Sequence, residues 1–157
     1  MKTIMFADKI LLIIISILFL NSCSKNIEQR SSINEKSLEL QVLEAYQEGL
    51  DSLNVGDVLF AAKKFNEVET LFPQSTWAPK SSLMAAYAYY SQDYYADAIA
   101  ELERYIKIYP FDSNIGYAHY LLGVCFYEQI VDEKKDLQSL LKSKEKFEYV
   151  IKEFPQT

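Results

Sequence analysis

The 157-residue sequence predicts an all-α protein built as an array of helical hairpins. Three observations carry that prediction. Apolar side chains recur in steps of three and four along several segments, the spacing of one helix face. An aromatic-proline pair closes three such segments, at Phe72-Pro73, Tyr109-Pro110 and Phe154-Pro155. Glycine and proline number only four each against twelve tyrosines, a composition that fits packed helices better than a turn-rich β domain.

Residues 1–22 read as an export signal. Lys2 and Lys9 give a positive start, offset in part by Asp8, and an apolar run from Ile10 to Leu20 is interrupted only by Ser16. The run is shorter than the roughly 20 residues that span a bilayer, and it has the size of a signal-peptide core. Leu20-Asn21-Ser22-Cys23 follows, with a small residue just before the cysteine. Residues 23–36 are polar and aperiodic and read as a flexible tether.

The helical part is expected over 37–157. After Asp57, Val58, Ala61, Phe65, Val68 and Phe72 fall on one helix face. After Asp93, Tyr95, Ala98, Leu102, Tyr105, Ile106 and Tyr109 repeat the pattern. Before the last proline, Leu140, Phe147, Val150, Ile151 and Phe154 do so again. Proline lacks an N–H and forces its predecessor out of helical angles, so Pro73, Pro110 and Pro155 are helix terminators. Each terminated helix has a partner upstream, at Ala45–Leu53, Ser82–Ser91 and Ile115–Ile130. The unit is a hairpin used three times, at about 42–75, 79–112 and 115–157. The stretches PQSTWAPKS, between the first two units, and VDEKKDLQSL, between the helices of the third, hold the extra length and are expected as loops, with Trp77 in the first.

Removal of residues 1–22 takes Lys2, Lys9 and Asp8 with it and moves the formal charge from −6 to −7. An acidic chain without basic clusters is a poor partner for nucleic acid. The two cysteines are too few for a cysteine metal site, and Cys125, in its apolar run, reads as a small buried hydrophobe. His119, the single histidine, is expected at the surface or in a groove. The charges at Asp132–Asp136 alternate in sign and read as a solvated loop. No phosphate loop, nucleophile elbow or other catalytic constellation occurs, so no enzyme and no cofactor are expected.

The motif at Leu20–Cys23 resembles the bacterial lipoprotein box. That resemblance implies cleavage between Ser22 and Cys23, a diacylglycerol on the Cys23 sulfur and an N-acyl chain. An ordinary secretory signal or a short anchor helix would fit the apolar run alone. Ser24, where inner-membrane lipoproteins of enteric bacteria carry Asp, implies the outer membrane and a periplasmic face.

The hairpins resemble tetratricopeptide (TPR) repeats, whose unit is 34 residues. Gly49, Gly56, Ala61, Phe65, Val68 and Pro73 match in register in the first; Ala86, Tyr89, Tyr95, Ala98, Leu102 and Pro110 match in the second. The third offers Leu122, Gly123, Phe126, Phe147, Val150 and Pro155. The resemblance implies a solenoid whose first helices line a groove. It places Tyr46, Leu50, Leu53, Leu83, Tyr87, Tyr90, Tyr117, Tyr120, Val124 and Tyr127 there. Equally, these tyrosines fit as packing between hairpins with wet tips.

The repeats behind a lipoprotein box, with the stretches 71–77, 85–110 and 113–130, are similar to the BamD family of lipoproteins in the outer-membrane β-barrel assembly (BAM) machine. This implies a scaffold that helps recognise, fold and insert barrel proteins. Its partners would be BamA, sibling Bam lipoproteins and the aromatic C-terminal segments of unfolded barrels. Phe72, Ser75 and Trp77 fall in the implied recognition region, where Trp77 fits equally as a lid on its helix end. The family usually has five repeats, so the sequence is expected to be a fragment. Another lipid-anchored TPR adaptor, recruiting periplasmic cell-wall enzymes, is the alternative.

Overall fold

The computed structural model describes residues 37–130 and 137–156. The expected signal, cleavage site at Ser22 and Cys23, lipid attachment and tether lie outside the described residues. Six helices follow in order: α1 (Leu38–Asn54), α2 (Val58–Leu71), α3 (Trp77–Tyr90), α4 (Tyr95–Ile108), α5 (Ile115–Glu128) and α6 (Leu137–Glu153). Each packs mainly on its neighbours in sequence, so the chain stacks as three hairpins, α1–α2, α3–α4 and α5–α6.

Local chemistry sets the helix ends. Ser37 caps α1 by accepting from Leu40 N–H, and Asp57 caps α2 by accepting from Phe60 N–H. Gly56 turns the first hairpin at φ 83°, a left-handed angle that costs glycine little. In the second hairpin Asp93 takes the same region, at φ 63°. Its carboxylate accepts a 2.6 Å hydrogen bond from the Tyr95 hydroxyl. That bond raises the Tyr95 pKa to about 12.

The three aromatic-proline pairs end their helices in one way. Phe72, Tyr109 and Phe154 each leave helical geometry, and the amide of each donates to the carbonyl four residues back, at 3.1, 2.8 and 2.8 Å. The aromatic side chains then differ in use. Phe72 covers the first hairpin, Tyr109 donates to Glu69, and Phe154 lies against Gly116.

Two apolar clusters form the core. One joins α1, α2 and α3 around Val42, Ala61, Phe65 and Val68; the other joins α3, α4 and α5 around Leu102, Tyr105, Leu122 and Cys125. Phe65 is fully buried against Gly49 of the partner helix, and Leu102 is fully buried in the cluster that holds Ala86. Burial pushes the Cys125 thiol up to about 12.

Four expectations need correction. Trp77 is the first residue of α3, not a loop residue, and the helix starts a turn before Ser82. Pro79 allows this because the first helical turn needs no intrahelical N–H bond. Leu137–Leu140 belong to α6 instead of a loop. Ile151 is 72% exposed, off the packed face of α6. The place the pattern left blank goes to Ser143, which is buried and donates a 2.9 Å hydrogen bond to the Gly123 carbonyl. His119 is neither groove nor open surface: its ring stacks 4.4 Å from Tyr149 of α6, and burial lowers its pKa with help from Lys146.

Candidate functional site

The described surface has two concavities that bear on binding. The first, about 350 Å³, is lined by Glu39, Val42, Leu43, Phe72, Ser75, Thr76 and Trp77. It brings together Phe72, Ser75 and Trp77. The Ser75 hydroxyl donates to the Phe72 carbonyl at 2.8 Å and accepts from Trp77 N–H at 3.2 Å. It therefore builds the turn that sets Trp77 at the start of α3.

The second, about 520 Å³, lies between the first helices of the second and third hairpins and is lined by Lys80, Leu83, Met84, Tyr87, Asn114 and Tyr117. Its size is that of a ligand pocket. It exists because α3 and α5 are held apart by α4, which packs on both. Lys80, Leu83, Met84 and Tyr87 face it from one side of α3, at the i, i+3, i+4, i+7 spacing. Asn114 and Tyr117 face it from the start of α5.

The expected groove tyrosines divide. Tyr87, Tyr117, Tyr120 and Tyr127 are exposed, and Tyr90 is half-buried between Tyr87 and Tyr95. Tyr117 and Tyr120 stand 6.4 Å apart on α5. Tyr120 also reaches Phe147 at 6.1 Å, on the side away from α3. Tyr46 does not belong to the groove. It is 9% exposed and makes edge contacts with Phe65 at 5.3 Å and Trp77 at 5.0 Å. The arrival of α3 over α1 covers it.

Sequence reasoning passed over Lys80, Met84 and Asn114. The Lys80 ammonium stands 4.9 Å from the Trp77 ring centre and 5.1 Å from that of Tyr46, within cation–π range. The signal was available in the i, i+3 spacing of Trp77 and Lys80, once Trp77 is placed on a helix.

A polar network joins the first hairpin to the second, whose first helix forms one wall of the groove. Arg104 of α4 makes a two-pronged bond to Glu69 of α2, at 2.9 and 2.8 Å, and also bonds Glu101 and Ser82. Tyr109 donates to the same Glu69 at 2.6 Å. Burial would raise the Glu69 pKa, but the bonds from Arg104 and Tyr109 outweigh it and hold the carboxyl below its ordinary value. The Arg104 guanidinium is pushed further up, first by its bond to Glu69. The network stabilises a single spacing between the first two hairpins.

Among the described residues no group of three or more His, Cys, Asp or Glu is placed to hold a metal, and no helix is long and apolar enough to cross a membrane. Stacked hairpins with an aromatic groove define the class: an α-helical repeat protein of the tetratricopeptide type. Sequence comparison narrows the class. The model of the YfiO family, described as outer membrane lipoprotein, matches residues 39–157, and the chain belongs to that family. It is similar to outer membrane protein assembly factor BamD of Caulobacter vibrioides, 37% identical over 71% of this chain and 37% of the relative. The BamD of Rickettsia prowazekii is 29% identical over 82% of this chain and 51% of its own length. That of Neisseria meningitidis serogroup A is 32% identical over 77% and 45%. The chain thus spans between about a third and a half of the length of these relatives.

Proposed function

We propose that the chain is the repeat-bearing part of an outer-membrane protein assembly factor. It is a non-enzymatic scaffold that takes up extended segments of unfolded β-barrel proteins and helps deliver them for folding and insertion. The observation that carries this reading is the Tyr87–Tyr117 groove in a chain of the outer membrane lipoprotein family. Tyrosine offers a rigid apolar surface and a hydroxyl for a peptide backbone at small entropic cost.

In this reading Cys23 carries a diacylglycerol and an N-acyl chain, which hold the domain on the outer membrane facing the periplasm. Several acyl chains suffice, since each buried CH₂ contributes about 0.8 kcal/mol. BamA and sibling Bam lipoproteins are the proposed assembly partners; the names of the relatives support this.

The test is in-cell photo-crosslinking from Tyr87 in the full-length protein, with adducts identified by mass spectrometry. Barrel precursors are expected, with a barrel-type insertase captured alongside them. Adducts made up of cell-wall enzymes would transfer the scaffold to a different envelope task.

A further inference from the structure

We infer that the turn between α4 and α5 is a membrane contact, with Phe111 entering the headgroup–acyl boundary of the bilayer that holds the lipid anchor. The inference rests on the reading that Cys23 is lipidated. Its starting point is an aromatic that the repeat does not use. Phe111 is 98% exposed, above every other large apolar side chain among the described residues. Ile108, half exposed at the end of α4, and exposed Pro110 extend the same apolar tip. The residue after the terminating proline is Gln74 in the first unit and Gln156 in the third, both exposed, so the hairpin needs no apolar side chain there. The turn is also well braced. Asp112 N–H donates to the Tyr109 carbonyl, and Ile115 N–H donates to the Asp112 carbonyl, both at 3.1 Å. The Asp112 carboxylate accepts from the Tyr105 hydroxyl and from the backbone and side-chain amides of Asn114, so the acid next to Phe111 is already engaged. A side chain presented by a braced turn loses little freedom when it is buried in a partner.

Topology selects the occupant. Successive helices run antiparallel, so the starts of α1, α3 and α5 and the ends of α2, α4 and α6 share one end of the stack. The contacts agree. Tyr109 at the end of α4 reaches Glu69 near the end of α2, and Phe154 after α6 lies on Gly116 at the start of α5. Phe111 therefore stands at the same end as Ser37, the cap of α1. Thirteen residues separate Ser37 from Cys23, and they reach at most about 50 Å. The opposite end of the stack lies a helix length further, about 20 Å for a helix of 14 residues. The end that carries Phe111 thus meets the bilayer with the least extension required of the chain. One ring would not hold a protein on a membrane alone. With acyl chains already in place the contact is intramolecular, so a small gain is enough to fix orientation. A stable protein interface takes about 800 Å² from each partner, and a single convex turn does not offer that. The contact would hold the helices end-on to the bilayer and so fix the height of the α3–α5 groove above it.

The experiment places the full-length protein, purified from membranes, in vesicles of phosphatidylethanolamine with a minority of phosphatidylglycerol. A tryptophan is introduced by Phe111→Trp or, at the opposite end of the stack, by Val55→Trp, and the unchanged protein supplies the background from Trp77. Bromine carried on the upper acyl chain quenches an indole that reaches the boundary, about 5–10 Å deep. The added emission of Phe111→Trp is expected to fall about twofold with brominated lipid, and that of Val55→Trp to stay unchanged. Flotation with the vesicles reports the anchor separately. Flotation without quenching in Phe111→Trp, or equal quenching in both variants, overturns the membrane contact and leaves the anchor standing. Failure to float overturns the anchor reading and this inference with it. Absence of quenching together with strong protein adducts from a photo-crosslinker at position 111 in cells overturns the membrane contact and assigns the tip to a protein partner. A thermal melt checks the folding of each variant, which substitutions at such exposed sites are not expected to influence.

Discussion

The Phe65 ring lies on the bare face of Gly49: a Cβ added there would stand 2.8 Å from Phe65 Cε1. The third hairpin repeats the relationship, with a Cβ on Gly123 falling 2.9 Å from Phe147 Cε1. Ala86 and Leu102 hold the corresponding places in the second. A flat ring needs glycine opposite it, and a branched aliphatic side chain tolerates alanine. Gly49→Ala should therefore destabilise the protein by about 1–3 kcal/mol, although alanine is the better helix former. Adding Phe65→Leu should recover part of that loss. Denaturant unfolding of the two variants measures both; a neutral Gly49→Ala would mean that the first hairpin opens more easily than its packing implies.

Arg104 joins two hairpins through Glu69 and stays about a third exposed, so solvent screens part of its worth. Arg104→Met keeps the stem and removes the charge. It should cost about 1.5–2 kcal/mol, the lower range for bonds to charged groups. Unfolding by urea gives the number. A loss below about 0.5 kcal/mol would place this network with ordinary surface pairs.

The same carboxyl makes stability depend on pH. Its folded pKa is lowered beneath the ordinary 4.5, so the native state binds a proton less readily than the unfolded chain. The contribution is complete above 4.5 and is lost as the pH falls through the folded value. Asp112, lowered from 3.8 by the Tyr105 hydroxyl and Asn114 N–H against the opposing effect of burial, adds a second loss at lower pH. The stability difference between the unchanged protein and Glu69→Gln should hold steady from neutral pH to about 4.5 and shrink below it. A difference that grows on acidification would contradict the sign of the shift.

Cys125 gives a chemical readout of the same core. It is fully buried with its thiol held near 12, so almost no thiolate forms at neutral pH. Alkylation should be slow in the native protein and rapid in denaturant. Rapid native labelling would show that α5 leaves the stack on the labelling timescale.

What the sequence made legible was local. Helix faces follow from spacing, and helix ends follow from the aromatic-proline pairs, because φ and the missing N–H act within a few residues. Gly49 and Phe65 were legible as repeat positions, but their contact within one hairpin is shown only by the packing. Partners brought together by stacking were not. Nothing near Glu69 announces Arg104, thirty-five positions on. Ser143 breaks an apolar pattern yet is buried, because its hydroxyl finds the Gly123 carbonyl across the hairpin. The start of α3 was hidden by Pro79, and with it Lys80, the cation of the groove.

Tyrosine shows most directly how stacking decides a role that residue type leaves open. Tyr46, Leu83 and Tyr120 occupy equivalent places in the three first helices, counted from Gly49, Ala86 and Gly123. Tyr46 is covered by Trp77 and Lys80 of the next hairpin, whereas Tyr120 is 48% exposed. Tyr46→Ala should then cost about 3–5 kcal/mol, the range for losing a buried aromatic. Tyr127→Ala, at a site 58% exposed, should stay within about 0.5 kcal/mol of the unchanged protein. Thermal and denaturant unfolding of the two variants compares them directly. Equal losses would mean that Tyr127 packs as Tyr46 does, which would remove it from the surface available to a bound segment.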